Sequence, residues 1–160
     1  MKHFLRIISW KRTMVLSICI LIILIVLNFY GIYTNKFYFL KPDNYIFPIL
    51  AIVHFVYIYV VQFKIKENEG PDIQMRNLEY AIYIILFVYL FKLFDSLNNL
   101  LSYIEYKDHL LPEPFQFMTI LILYMYLMLL LLTFISFKHR KELVGVYKFD
   151  DLDQHIDSWE

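Results

Sequence analysis

Lys92, Asp95, Ser96, Asn99 and Ser102 stand in the stretch LFKLFDSLNNLLSYIE, residues 90–105, at the end of an apolar run that begins at Tyr80. On a helix turning about 100° per residue, Lys92, Asp95, Asn99, Ser102 and Tyr106 fall within an arc of about 80°, with Ser96 beside it. The polar residues therefore form a stripe. A basic group at the centre of an apolar span costs about 2.5–3.5 kcal/mol on insertion scales. Asp95, three residues further on, can pair with Lys92 on the same face. Such a stripe can hold helices together as a hydrogen-bonded seam, line a water-filled ion or proton path, or form a catalytic site.

Two further side chains belong to this expectation. Counted inward from the outer ends of their helices at about 1.5 Å per residue, His54, Asp95 and Tyr124 all reach a depth of roughly 13–14 Å. A polar cluster of Lys92, Asp95, Ser96, Asn99, Ser102, His54 and Tyr124 is predicted, as a pore lining or as a seam. The ordinary role of a lone histidine in an apolar span is packing, and His54 carries that reading as well.

Most catalytic and cofactor chemistry is excluded by what the chain lacks. A haem held between helices needs paired histidines, and only His54 lies within a span. There is no HExxH-type zinc motif and no nucleotide-binding glycine loop. No serine or cysteine nucleophile with an adjacent base can be picked out. The single cysteine, Cys19, allows no disulfide framework, CxxC motif or thiolate metal site. No enzyme, cofactor or metal site is predicted.

The elements that must position the stripe are membrane helices. The chain has 160 residues, of which 60% are hydrophobic, against about 45–50% in soluble domains even with glycine counted. Four blocks, 13–33, 45–63, 80–104 and 115–137, approach or exceed the roughly 20 apolar residues a span requires. The first follows Lys2, Arg6, Lys11 and Arg12 as a signal peptide would. It is longer than an h-region and has no small-residue cleavage site, so a retained span is expected. Lysine and arginine in short loops mark the cytoplasmic side. The N-terminal arm has four, the 64–78 loop three and the C-terminal segment four, which makes eleven; Lys36, Lys41 and Lys107 make three on the other side. Both termini are expected in the cytoplasm, with tyrosines 30, 33, 38, 45, 103 and 106 forming an outer interfacial belt.

The predicted organisation is a basic interfacial arm over 1–12, a transmembrane domain over 13–137 and a cytoplasmic tail over 138–160. Gly70-Pro71 breaks the chain before the third helix and Asp72 is placed to cap it. With three glycines in the chain and two alanines, Ala51 and Ala81, small-xxx-small packing is scarce. In the tail, Phe149, Leu152, Ile156 and Trp159 share one helical face among acidic residues, which suits docking into a protein groove. The cluster DDLDQHID lacks the glycine and terminal glutamate of a calcium loop.

The expected fold is all-α: a polytopic, antiparallel four-helix membrane bundle with short loops and an amphipathic C-terminal tail. Two functions compete, and the first is the preferred expectation. One is a homo-oligomeric pore or channel-like effector lined by the third helix and regulated through the tail, with a size and layout that suit a bacterial stress or phage-defence system by analogy alone. The other is a non-conducting anchor or scaffold that recruits a cytosolic partner. The expected partners are membrane lipid, further copies of the chain and a cytosolic protein, and no nucleic acid. A stripe turned into its own protomer favours the scaffold, and one turned to a symmetry axis favours the pore.

Overall fold

Most of this chain is apolar on every side, so each helix must bury one face against its neighbours and leave another against non-aqueous surroundings. The computed structural model describes residues 9–105 and 111–147. It contains four helices long and apolar enough to cross a membrane: α1 (Trp10–Asn28), α2 (Ile46–Glu67), α3 (Ile73–Glu105) and α4 (Phe115–Leu143). Between α1 and α2 lie the strands β1 (Tyr30–Gly31) and β2 (Lys36–Phe37) and a 3-10 turn, Pro42–Tyr45. The strands pair antiparallel, Tyr30 opposite Phe37 and Gly31 opposite Lys36.

The helices close into a ring in chain order. Each packs on the next and α4 returns to α1, with the α3–α4 and α1–α4 seams the most extensive. Outward faces are apolar, as with Ile49, Ile52, Val56 and Tyr59 on α2 and Ile84, Phe87, Phe91 and Phe94 on α3. Inward faces mix Leu21, Leu24, Ala51, Ile82 and Leu129 with the hydroxyls of Thr13, Ser17, Thr119, Thr133 and Ser136. The scarcity of glycine and alanine predicts wide helix separations. Instead, Thr13 and Ser17 on α1 and Thr133 and Ser136 on α4 supply small interior residues on the two helices of one extensive seam. The hydroxyls of Thr119 and Thr133 donate to the carbonyls of Phe115 and Leu129, one turn back, and so need no partner on another helix.

Helix lengths then fix the level of the polar stripe. α1 has 19 residues, about 28 Å at 1.5 Å each, which matches a hydrocarbon core of about 30 Å. α3 has 33 residues, about 50 Å, and α4 has 29. At one end Trp10 donates to Gln62 Oε1 at 2.6 Å and its ring meets that of His139 at 6.1 Å, which levels the start of α1 with the ends of α2 and α4. At the other end Asn28 donates to the Asn44 carbonyl, so the end of α1 is level with the start of α2. α3 and α4 run on past that level and form a projecting stem.

Helix limits differ from the apolar blocks at the ends of the first, second and fourth, the second running on to Glu67, whereas the third begins where the Gly70-Pro71 break and Asp72 lead one to expect. The first ends at Asn28 and not 33, because the chain turns into the β1–β2 hairpin. An ideal Cβ on Gly31 would lie 2.6 Å from the Tyr38 ring, so the ring's seat depends on that glycine. The third helix starts at Ile73, where Asp72 Oδ1 accepts from the Met75 N–H at 2.7 Å as an N-cap. The fourth continues to Leu143. The arm residues 1–8, and the tail from 148 on with Phe149, Leu152, Ile156 and Trp159, lie outside the described residues.

Candidate functional site

A cavity of about 480 Å³ lies at the hairpin end of the bundle, a size within the range of small-molecule sites. The last turn of α1 contributes Leu24, Leu27 and Asn28 to its wall, and α3 contributes Lys92, Asp95, Ser96 and Asn99. Thr119, Ile122 and Tyr126 enter from α4, and Tyr30 to Thr34, Tyr38, Lys41 and Asn44 from the hairpin and the turn behind it. The hairpin is tied to the stem, since Tyr33 Oη donates to Asn99 Oδ1 at 2.7 Å and the Tyr33 ring packs on Phe115 at 5.1 Å.

Four of the predicted stripe residues thus share one cavity. They face the last residues of α1, Leu24, Leu27 and Asn28. α3 extends beyond α1 at both ends: Glu79 meets Arg140 beside the start of α1, and the helix continues past Asn99 into the stem. Ser96 is buried and its hydroxyl donates to the Lys92 carbonyl at 2.9 Å. Ser102 is half-buried on the stem and outside the cavity wall. The expected Lys92–Asp95 pair is not formed: among the described residues neither side chain makes an ion pair within 4.0 Å or a hydrogen bond. Lys92 is half-buried and Asp95 exposed, so the cavity is open to the outside of the bundle.

His54 and Tyr124 do not join the stripe. His54 is wholly buried, with Nδ1 3.1 Å from Tyr89 Oη and its ring stacked on Tyr89. Tyr89 lies six residues before Asp95, about 9 Å deeper along α3, so equal counting from helix ends misjudged the level. The Nε2 atom of His54 has no partner among the described residues. Tyr124 is 54% exposed on the outer face of α4, and Tyr126, 4% exposed, takes the inward position instead. Phe47 packs at 5.7 Å on both Tyr126 and Tyr89, so the cavity has a packed aromatic floor.

A second polar group lies at the opposite end and was not singled out from sequence. Glu79, 2% exposed, accepts from Arg140 Nη2 at 2.7 Å, from Tyr83 Oη at 2.8 Å and from Tyr147 Oη at 2.8 Å. Arg140 also donates to the Gly145 carbonyl at 3.0 Å and stacks over the Tyr147 ring at 4.5 Å. Burial, reinforced by the bond to Glu79, raises the Tyr147 phenol above its ordinary range and keeps it a donor. The arrangement pins the chain just beyond α4 against the start of α3. A signal was present in Glu79, a lone acid in an apolar run, and Arg140, a base six residues before Val146. Their pairing needed the longer α3 and α4.

Beside it, Lys64 bridges Glu69 at 2.8 Å and Asp72 at 2.7 Å across the α2–α3 corner. Partial burial pushes the Asp72 carboxyl up, but the Lys64 ammonium and the Met75 N–H outweigh it and hold it below its ordinary value. No group of three or more metal-ligating side chains occurs among the described residues. No family model, no curated protein and no solved structure matches this chain.

Proposed function

We propose that the chain is a polytopic membrane scaffold. Four antiparallel spans place both termini in the cytoplasm, a vestibule on the opposite side binds a small polar group, and the amphipathic tail beyond Tyr147 engages a cytosolic protein. The observation that carries this reading is that Lys92, Asp95, Ser96 and Asn99 line a cavity walled by their own protomer. Hydrating the stripe then requires no symmetry axis. Below it, Tyr126, Phe47, Tyr89, His54 and Tyr57 are all at most 4% exposed, which supports a non-conducting core. Topology rests on the eleven-to-three bias in lysine and arginine. No catalytic role is assigned.

A homo-oligomeric pore is the second reading, and one observation favours it. Asp95 and Asn98 are exposed on α3, and copies gathered around that face would hydrate them. Under that reading the protein is a membrane effector of the stress or phage-defence kind, controlled through its tail. Mass in lipid nanodiscs together with ion flux in proteoliposomes separates the two. The scaffold reading expects no flux above protein-free vesicles. Flux that disappears in Asp95→Asn, from a particle with the mass of several chains, overturns it in favour of the pore.

A further inference from the structure

Resting on the reading of the cavity as a binding vestibule, we infer that it holds the headgroup of a membrane phospholipid that carries both a phosphodiester and a primary ammonium.

The charges call for a zwitterion. Lys92 and Asp95 lie three residues apart on one helix, yet among the described residues neither forms an ion pair with the other or with anything else. Charged groups that have no protein partner in an open cavity are free to meet the charges of a ligand. Lys41 adds a second ammonium to the wall, and its contact with Asp43 is a loose 3.9 Å on the exposed surface. Two ammoniums and one carboxylate complement an anionic oxygen group next to a cationic donor. The amides of Asn28 and Asn44 and the hydroxyls of Tyr33 and Tyr38 surround them, able to orient a ligand by hydrogen bonds.

The level selects a lipid. The cavity lies where α1 ends, about 28 Å from its other end, which is headgroup depth for a bilayer whose core is about 30 Å thick. Below Asp95 on the same face of α3 run Phe91, Phe87 and Ile84, 70%, 74% and 69% exposed. An acyl chain can follow that track while its headgroup turns into the cavity. A phosphate placed between Lys92 and Lys41 leaves the ammonium against Asp95. A primary ammonium can donate hydrogen bonds to that carboxylate, and a trimethylammonium cannot.

The test uses the full chain in detergent micelles. Short-chain phosphatidylethanolamine, phosphatidylcholine, phosphatidylglycerol and the soluble headgroup glycerophosphoethanolamine are titrated against the thermal unfolding midpoint, which ligand binding raises by mass action. Phosphatidylethanolamine is expected to bind at least about tenfold more tightly than each of the other three, a difference of about 1.4 kcal/mol. Asp95→Asn should erase its preference over phosphatidylcholine. Lys92→Gln should weaken all three lipids. Equal binding of the ethanolamine and choline lipids by the native chain overturns the inference whether or not the variants fold. Binding of glycerophosphoethanolamine as tight as that of the lipid overturns the lipid assignment. In a Cys19→Ser background, labelling of Asn99→Cys by an aqueous maleimide reports the vestibule separately. Labelling without headgroup selectivity sinks the inference alone, and no labelling sinks the underlying reading with it.

Discussion

Glu79 and Arg140 show how much a single buried pair can fix. The carboxylate has accepted three donors, and the guanidinium ties together α4, the Gly145 carbonyl and the Tyr147 ring. Removing one partner leaves the other charge buried with fewer contacts, so Arg140→Met or Glu79→Leu alone is expected to lower stability by about 3–5 kcal/mol. Replacing both together removes the stranded charge and should cost clearly less than the two single changes summed. Reversible unfolding in mixed micelles measures this cycle, and additive losses would show that the pair does not act as a unit. Tyr147→Phe should cost about 1.5–3 kcal/mol, because the lost bond goes to a charged acceptor. At this scale the sequence was only half legible. It marked Lys92, Asp95, Ser96 and Asn99 through a spacing that survives in the structure. It missed Glu79, Arg140 and Tyr147 because their partnership spans 61 and 68 residues of chain and no local pattern announces it.

At the scale of elements, the α2–α3 corner joins capping and charge in one residue. Asn68 closes α2 in the left-handed region at φ 53°, three residues then pass, and Asp72 caps α3 through the Met75 N–H while holding the Lys64 ammonium. Asp72→Ala should destabilise the bundle by about 0.5–2 kcal/mol, the usual range for a lost N-cap. The effect should depend on pH. The folded-state pKa of Asp72 lies below that of the unfolded chain, ordinarily about 3.9, so its contribution is complete above that value. It is lost as pH falls through the lower, folded-state value. Melting curves of the native chain and Asp72→Asn should therefore converge as pH is lowered from 6 towards 3, within the range where the detergent-solubilised fold persists. A constant gap over that range would remove the carboxylate from the account. The cap was legible because a breaker pair followed by Asp is a local signal. The hairpin at Tyr30 to Phe37 was not, because its tyrosines and phenylalanines extend the apolar run and mask the point where α1 stops.

For the whole molecule, the decisive quantity is the level of one helix against another. Hydropathy identified four crossings, and four suitable helices are present, but hydropathy cannot tell a span from its apolar extension. α3 has 33 residues against 19 in α1, about 20 Å more, so counting from its end does not give the level of its polar stripe, which lies against the end of α1. The charge asymmetry then predicts which end of the bundle faces out. Lys36, on the hairpin, and Asn68, on the opposite corner, are both exposed and sit at opposite ends of α2's neighbourhood, one before it and one after. In a Cys19→Ser chain, Lys36→Cys should react with an impermeant maleimide added to intact cells, and Asn68→Cys should react only after the membrane is opened. The exposed Cys19 must be removed first, since it lies on the outer face of α1 and would add background. Reaction of both sites from outside would mean that the four helices do not all cross. Exchange of the two sites would invert the molecule, placing the vestibule in the inner leaflet and the Glu79–Arg140 end outside. The headgroup chemistry would be unchanged by such an inversion, but the tail could no longer reach a cytosolic partner, so this one measurement bears on the scaffold reading and leaves the lipid site standing.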